Sequence, residues 1–498
     1  MAKNRNSRPL RILHVSMELA PWAKEGGLAD VLSGLPAAQQ RAGDKPVVVV
    51  PRHGCGSWDE SAIRPVPGGT LKIRLGRVEF PVELGRIEHP GGFDVILVRN
   101  DELFDREGIY HQPHASGVFH DALVRRSTLC HAALYYALRA TGIPDVIHAH
   151  DAAAALTIPL LSYRFQPTPL QHARKVFSIH NLAYLEQHPL EALPYADLPL
   201  EEAYPMGPLE FWGTFSGMKA GIVLADRILT VSPTYAREIV EDPEIAGPMH
   251  GVIHSRRDAL VGILNGVDRK VWNPATDRHL AAPYGAANLE PREACRKELL
   301  EMTGLDGASG GGPDGAPVVV GVVSRLVHQK ALELLVEAIP ALASDGFRFA
   351  VVGTGEPDLE DAFLDLSRRL PGRVWTALDP GEPVARKVFA GSDLFCVPSR
   401  YEPCGLTQQY ALLYGSIPVV RRTGGLADTV DETVGFLFDE LSPNVLAGTL
   451  RDAAGAVRDP DRRLGMQKAG MARGRSWDDV AAEIRERVYL GTGGGEAG

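Results

Sequence analysis

Short apolar runs alternate with longer amphipathic stretches along most of the chain. Ten apolar runs predict buried strands: 11–17, 46–51, 95–98, 146–148, 176–179, 228–231, 318–323, 349–352, 394–397 and 417–420. Five stretches with apolar residues at helical spacing predict helices: 28–41, 127–140, 291–305, 331–343 and 406–414. Strands that alternate with helices predict parallel sheets covered by helices on both faces. The pattern begins again near residue 318, which predicts two such domains.

Two segments fall outside this alternation. Residues 306–317 read DGASGGGPDGAP, which predicts a flexible surface loop inside the second domain. The last eight residues, 491–498, read GTGGGEAG and predict a disordered tail.

Composition narrows the class of protein. The chain has 498 residues, which is too long for one ordinary core. Its formal net charge of −10, from 52 basic and 62 acidic residues, argues against a general nucleic-acid surface. We find no apolar run long enough to span a membrane and no signal peptide. Five scattered cysteines, without metal-ligand spacing, favour a reducing cytoplasm. Oligomeric state cannot be inferred from these features.

The run 399–408, SRYEPCGLTQ, lies where a predicted strand gives way to a predicted helix. A helix N-terminus has unpaired N–H groups and partial positive charge, so it can hold a phosphate. Glu402 precedes that helix and is placed to reach the group attached to the phosphate. The arrangement predicts an enzyme that binds a nucleotide-sugar.

Three further strand-end loops have residues suited to phosphate. Arg325 and Lys330 follow the strand at 318–323, and two such cations can flank a diphosphate. The alternative is a pair of solvated surface charges. Residues 24–30 and 421–428 each contain a Gly-Gly turn and the string GGLAD. A Gly-Gly turn alone is more often only a tight connection.

Histidines at the ends of two strands allow a metal site or a sugar site. His148, His150 and Asp151 follow one predicted strand, and His180 follows the next. The two histidines of the first strand share one face and no cysteine lies nearby, so we predict no metal. The remaining alternatives are a structural polar cluster and contacts from Asp151 and His180 to sugar hydroxyls.

Taken together, these motifs resemble the bacterial glycogen (starch) synthases of glycosyltransferase family 5. The matching segments are KEGGLADV at 24–31, HAHD at 148–151, IHNLAY at 179–184, GILNGVDRKVWNPATD at 262–277, VSRLVHQK at 323–330, PSRYEPCGLTQ at 398–408 and RRTGGLADTV at 421–430. They run in order across roughly the whole chain.

This resemblance implies an α/β protein of the GT-B fold, with two Rossmann-like doubly wound domains facing across a central cleft. Residues 1–258 would form the acceptor-side domain and 259–475 the nucleotide-sugar domain, with a helix at 476–490 crossing back to the first. It implies transfer of glucose from ADP-glucose to the non-reducing end of an α-1,4-glucan, with retention. No cofactor, metal, membrane or nucleic acid is expected.

The resemblance also implies a set of site residues. Those expected in catalysis are Asp151, His180, Arg325, Lys330 and Glu402. Those expected to bind ADP-glucose are Lys24, Gly26, Gly27, Asn181, Asn265, Cys404, Gly405, Leu406, Thr407, Thr423, Gly424 and Gly425.

Four features depart from the family pattern. Ala152 replaces an aromatic residue, Ala331 replaces a glycine, the loop at 431–436 is short, and the stretch 121–126 lacks the usual aromatic residue after its arginine. An alanine at 331 is harmless if its φ is negative and costly if it is positive. Three alternatives stay open: a glucan phosphorylase with a pyridoxal-phosphate lysine, a GT-B glucosyltransferase with another donor or acceptor, and a non-catalytic glucan-binding relative.

Overall fold

The computed structural model describes residues 8–112, 117–306 and 317–491. Most of the predicted surface loop and tail, residues 307–316 and 492–498, therefore lies outside the described residues. The chain divides into two compact units. The first contains the described residues of 1–231, 236–266 and 477–498, and the second contains 232–235 and 267–476. The functional assignment of the predicted domains stays a prediction.

A nine-stranded sheet forms the centre of the first unit, in the order β12-β11-β7-β6-β1-β2-β5-β4-β3. Its strands are β1 Arg11–Val15, β2 Lys45–Pro51, β3 Arg64–Leu75, β4 Val78–Glu88, β5 Asp94–Arg99, β6 Val146–His150, β7 Arg174–Ile179, β11 Arg227–Thr230 and β12 Leu260–Gly262. Strands β8 Gln187–Pro189, β9 Glu210–Phe211 and β10 Thr214–Ser216 form a separate small sheet. The helices up to residue 266 are α1 Gly27–Arg41, α2 Asp101–Phe104, α3 Ala122–Arg139, α4 Asp151–Ala154, α5 Thr157–Tyr163, α6 Gly217–Leu224, α7 Pro233–Glu241, α8 Pro243–Ala246 and α9 His250–Ser255.

The antiparallel hairpin β3–β4 corrects the prediction of a purely parallel first sheet. Its strands pair antiparallel with each other, and β4 pairs antiparallel with β5. Residues of β3 alternate between buried and exposed positions, with Leu71, Ile73 and Leu75 facing inward. Such alternation is typical of a sheet that is solvated on one face, and it lacks the continuous apolar run used to find the other strands.

The second unit has a six-stranded sheet in the order β15-β14-β13-β16-β17-β18, with every pair parallel. Its strands are β13 Val318–Val323, β14 Phe347–Val352, β15 Val374–Ala377, β16 Leu394–Val397, β17 Ile417–Arg421 and β18 Phe436–Phe438. Its helices are α10 Arg292–Thr303, α11 Leu332–Ser344, α12 Pro357–Arg369, α13 Glu382–Gly391, α14 Thr407–Leu413, α15 Gly424–Thr429, α16 Pro443–Arg458 and α17 Pro460–Ala472.

Both faces of the second sheet are buried. Val318, Val320 and Val322 belong to one apolar cluster with helices α11 and α16. Phe395 and Val397 belong to another, which includes residues of α13 and α14. The continuous apolar strands of this unit follow from burial on both faces.

Helix α18 (Trp477–Ile484) belongs to the first unit and continues into a π-helical segment, Arg485–Leu490. It packs against α1, where Gly34 leaves room for the indole of Trp477. A Cβ on Gly34 would lie 2.1 Å from the indole nitrogen. Arg41 also pairs with Asp478 at 2.7 Å.

Candidate functional site

Three loops of the second unit meet around Glu402. They follow β13, β16 and β17, which are neighbours in a parallel sheet, so their carboxyl ends share one edge. Glu402 is 5% exposed, and its Oε2 lies 2.5 Å from the ammonium of Lys330. The Ser399 hydroxyl donates to the same oxygen at 2.8 Å. A direct ion pair therefore joins the loop after β13 to the loop after β16.

Backbone hydrogen bonds hold these loops together. The N–H of Arg400 donates to the carbonyl of Gln329 at 2.9 Å, and that of Gly425 donates to the carbonyl of Glu402 at 2.9 Å. A Cβ on Gly425 would lie 2.0 Å from the carbonyl oxygen of Cys404. Gly425 is therefore required by close packing of the third loop on the second.

The loop that carries Arg325 rests on a neighbouring loop at residues 353–356. Leu326 donates its N–H to Thr354 at 2.9 Å, and Glu356 donates to Leu326 at 2.7 Å. A Cβ on Gly353 would lie 1.9 Å from the carbonyl oxygen of Ser324. The Gly-Thr-Gly segment at 353–355 therefore supports the loop that contains Arg325. Arg325 itself is exposed.

The remaining predicted phosphate contacts lie at two short helices. Gly405, with a φ of 69°, and Leu406 precede α14, which begins at Thr407. Thr423 precedes α15, which begins at Gly424. Cys404 is buried. Helix α14 has 7 residues and α15 has 6.

The backbone of Ala331 is in the left-handed conformation, in which alanine is strained. Its φ is 48° and its ψ is 36°, in the left-handed region, and its side chain is fully buried. An L-residue there costs about 1–2 kcal/mol. The strained residue directly follows Lys330 and begins the turn into α11.

In the first unit, the Gly26-Gly27 turn is held by a carboxylate that the sequence analysis missed. Oε2 of Glu18 accepts the N–H groups of Glu25 and Gly26, both at 2.8 Å. Its Oε1 accepts the hydroxyl of Tyr110 at 2.9 Å. Burial raises the pKa of Glu18, while these bonds oppose the rise. An acidic residue inside the apolar segment 15–19 was the available signal.

Lys24 lies on the same loop. Its ammonium pairs with Asp30 in the first turn of α1 at 2.8 Å, and the lysine side chain is 37% exposed. The helix begins at Gly27, one residue before the predicted start.

Asp151 is both strained and electrostatically unusual. Its φ is 61°, a left-handed value. The carboxylate accepts backbone N–H groups from Ala152, His180 and Asn181, yet burial raises its pKa to about 7. Its Oδ1 is buried and has no hydrogen-bond partner among the described residues. An unpartnered, buried carboxylate oxygen with a shifted pKa is typical of a functional site.

The loop after β7 brings His180 and Asn181 to Asp151. The backbone of both residues bonds the carboxylate, while Oδ1 of Asn181 accepts the N–H of Ala183 at 3.0 Å. Burial lowers the pKa of His180 to about 4, so the ring is neutral near pH 7. These three predicted residues therefore form one cluster in the first unit.

Three buried histidines, His14, His148 and His150, lie beside this cluster with their rings in contact. His14 of β1 is directly opposite His148 of β6, and one ring nitrogen of each of His14, His148 and His150 lies within 4.8 Å of the others. All six nitrogens of these rings already take part in hydrogen bonds within the chain. A metal ion would have to break several of these bonds, so the geometry favours a polar network.

Asn265 lies after β12 in the first unit. It is 9% exposed and lines a cavity of about 10 Å³ together with His150, His180 and Trp477. The predicted residues thus fall into two sets. Lys24, Gly26, Gly27, Asp151, His180, Asn181 and Asn265 belong to the first unit, and the rest belong to the second.

The described residues form no helix that is both long and apolar enough to cross a membrane.

Comparison with known proteins identifies the class. Residues 11–255 match the family model of the starch synthase catalytic domain, and 317–454 match that of glycosyl transferases group 1. Sucrose-phosphate synthase from Thermosynechococcus elongatus matches with a TM-score of 0.58 at 15% identity, covering 96% of this chain and 98% of that one, which supports the fold alone. The fold and its strand-end loops define a glycosyltransferase of the GT-B class.

Closer relatives give the family. A glycogen synthase of Myxococcus xanthus (strain DK1622) is 40% identical over 477 residues, covering 94% of this chain and 96% of that protein. The catalytic domain of starch synthase IV from Arabidopsis thaliana, bound to ADP and acarbose, matches with a TM-score of 0.88 at 29% identity, covering 97% and 99% of the two chains. The chain belongs to the bacterial glycogen (starch) synthase family, glycosyltransferase family 5.

Proposed function

We propose that the protein transfers glucose from ADP-glucose to the non-reducing end of an α-1,4-glucan, with retention at the anomeric carbon. Membership of the glycogen synthase family over nearly the whole chain supports this reaction. At the site, the main support is the ion pair between Lys330 and the buried Glu402, which joins two strand-end loops. The related plant enzyme with bound ADP and acarbose supports an adenine nucleotide as donor and a glucan as acceptor.

Charge stabilisation at the leaving diphosphate is the proposed source of catalysis. Breaking the bond between glucose and phosphate leaves an oxocarbenium-like sugar and an anionic ADP. Arg325 and Lys330 would hold the diphosphate, helped by backbone N–H groups at 405–407. Fixed cations and N–H groups that face a developing negative charge lower the barrier without having to reorganise. Lys24 and the Gly26-Gly27 turn would lie near the phosphates.

Asp151, His180 and Asn181 would surround the glucose. Asp151 has an unpartnered buried Oδ1, which is suited to accept a hydrogen bond from a sugar hydroxyl. Glu402 would orient Lys330 and contact the sugar. We propose front-side attack by the acceptor hydroxyl, with the departing phosphate oxygen accepting its proton. This route needs no enzyme nucleophile, in contrast to the two-carboxylate mechanism of retaining glycosidases.

The deciding experiment measures radiolabelled glucose incorporation into glycogen from ADP-glucose and UDP-glucose in parallel. Activity with ADP-glucose alone is the expected result. Preference for UDP-glucose would identify UDP-glucose as the donor instead. Release of glucose 1-phosphate from glycogen and phosphate would indicate a phosphorylase. Glycogen binding without turnover, in folded protein, would indicate a non-catalytic relative.

We propose the cytoplasm as the location, supported by the five cysteines, which are all free.

A further inference from the structure

A continuous chain of hydrogen bonds links the C-terminal segment to His180. The Tyr489 hydroxyl lies 3.1 Å from Nε2 of Gln39, and Oε1 of Gln39 lies 2.8 Å from Nε2 of His14. Nδ1 of His14 lies 2.9 Å from Nε2 of His150. Nδ1 of His150 lies 3.2 Å from Nε2 of His180. We refer to these five residues as the histidine relay.

Four of the five relay residues are buried, and its imidazole rings are neutral near pH 7. Gln39, His14 and His150 are at most 1% exposed. Burial lowers the pKa of His14 to about 4 and that of His150 well below its usual value. A neutral imidazole has one N–H donor and one bare acceptor nitrogen. The proton position on one ring therefore dictates the position on the next.

The orientation of Gln39 sets the direction of the relay. Its Nε2 donates to Tyr489, so its Oε1 accepts from His14, whose proton must be on Nε2. Nδ1 of His14 is then bare and accepts from Nε2 of His150. Nδ1 of His150 is bare in turn and accepts from Nε2 of His180. A half-turn of the Gln39 amide would reverse every donor.

Tyr489 has a second partner that is consistent with this pattern. Its hydroxyl lies 2.8 Å from Nδ1 of His148, and Nε2 of His148 lies 2.6 Å from the Ser178 hydroxyl. When Tyr489 accepts from Gln39, its own proton is available for Nδ1 of His148. The proton of His148 is then on Nε2, which faces Ser178. Each hydrogen bond in this network then joins one donor to one acceptor.

We propose that Tyr489, Gln39, His14 and His150 are positioning residues that hold His180 as the tautomer with its proton on Nε2. Nδ1 of His180 then presents a bare lone pair, and it has no hydrogen-bond partner among the described residues. That nitrogen accepts a hydrogen bond from a hydroxyl of the transferred sugar. The inference rests on the proposed function for the identity of this ligand, but the tautomer itself does not depend on it.

The tautomer can be measured directly. The full chain is labelled with ¹⁵N in the histidine rings, and long-range ¹H–¹⁵N spectra distinguish protonated from bare nitrogens. The His180 signals are assigned by their loss in His180→Gln. We expect a single tautomer, with Nε2 protonated and Nδ1 bare, between about pH 6 and 8. A proton on Nδ1, or a mixture of the two tautomers, would overturn the proposal.

Two conservative variants test the coupling. Tyr489→Phe and Gln39→Met each remove the hydrogen bonds that orient the relay, and we expect the His180 signals to become those of a tautomer mixture. We also expect kcat to fall about 2- to 10-fold, the equivalent of one hydrogen bond, while Kd for ADP is unchanged. Unchanged His180 signals in both variants would contradict the coupling.

Tyr284→Phe is the matched control, because it removes another buried tyrosine hydroxyl, which donates to the carbonyl of Tyr414 at 2.8 Å. It should leave the His180 signals as they are, and an equal effect in this variant would also overturn the proposal. A wild-type chain with the expected spectrum but no glucose transfer would refute the proposed function and leave the relay intact.

Discussion

Replacing Asp151 with asparagine should stabilise the protein while it impairs the reaction. The carboxylate is buried, one of its oxygens has no partner among the described residues, and its pKa is raised to about 7. Asparagine has nearly the same shape without the charge. It also tolerates the left-handed backbone at this position, so the substitution adds no backbone strain.

The magnitude follows from the pKa of Asp151 in the folded chain. The shift from 3.8 to about 7 is roughly 3 units, and at 1.36 kcal/mol per unit it corresponds to about 4 kcal/mol. Because the folded pKa lies above the unfolded one, the unfolded chain loses its proton first as pH rises. The loss of folding stability caused by ionised Asp151 is therefore absent below about pH 4. It grows between about pH 4 and 7 and is complete above about pH 7.

Asparagine keeps an unpartnered polar group in place of Oδ1, which offsets about 1–3 kcal/mol of the gain if the amide is poorly paired. We therefore expect Asp151→Asn to raise the melting temperature by several degrees at pH 8 and to change it little at pH 4.5. Calorimetric melting at both pH values measures this difference. Asp59→Asn is the control, and it should shift the melting temperature in the opposite direction, because hydrogen bonds from Ser61 lower the pKa of Asp59.

The same variant tests the role of Asp151 in the reaction. An ionised acceptor bonds a sugar hydroxyl more strongly than a neutral amide does, so kcat/KM should fall about tenfold at pH 8. In the wild type, kcat/KM should also decline below about pH 7 as Asp151 takes up a proton, and this acid limb should be missing in the variant. A variant that melts no higher at pH 8 than the wild type would refute the electrostatic reasoning.

Substitutions at Lys330, Glu402 and Ala331, with a control at Lys387, test the second unit. Lys330→Ala should lower kcat about 100- to 1,000-fold in the glucose-incorporation assay, because it removes a cation from the leaving diphosphate. The control is Lys387→Ala, which removes a lysine paired with Glu298 at 2.6 Å and should keep normal turnover. Normal turnover in Lys330→Ala would contradict the assignment of Lys330 to the diphosphate. Glu402→Gln leaves Lys330 without its counter-charge and should cost about 2 kcal/mol of unfolding free energy in urea titrations, and no loss would mean that the pair is not formed. Ala331→Gly relieves about 1–2 kcal/mol of backbone strain, but it loses about 0.8 kcal/mol of methyl burial and adds roughly 0.5–1 kcal/mol of unfolded-chain entropy, so its melting temperature should match that of the wild type within about two degrees. Ala331→Val should melt clearly lower, since a β-branched residue strongly disfavours this backbone.

The sequence predicted the parallel core because its strands are continuous apolar runs bounded by polar loops. Hairpin β3–β4 was not predicted, because its buried residues, such as Leu71 and Ile73, alternate with exposed ones and form no continuous apolar run. Helix α3 begins at Ala122, five residues before the predicted start. Its first five residues include Arg125 and Arg126, which are both buried despite their charge. Burial of a charged residue depends on partners that are distant in sequence.

The candidate site shows the same limit. Residues that follow strands, such as Lys330, Asp151 and Glu402, were recognisable from their position in the sequence. Tyr489 and Gln39 were not, because neither lies in a strand-end loop, and their contact joins residues 450 positions apart. The sequence indicated only that Ala331 would be strained if its φ were positive, and the structure shows that its φ is positive.

The position of α18 has a consequence for how the protein is made. Trp477 fills the space left by Gly34, and Arg485 pairs with Asp44, so residues near the end of the chain complete packing that begins in α1. The ribosome must synthesise residues 267–476 before Trp477 and Arg485 are available. The first unit to emerge is therefore the last to be finished, and until then its nascent surface exposes an unfilled apolar groove beside α1.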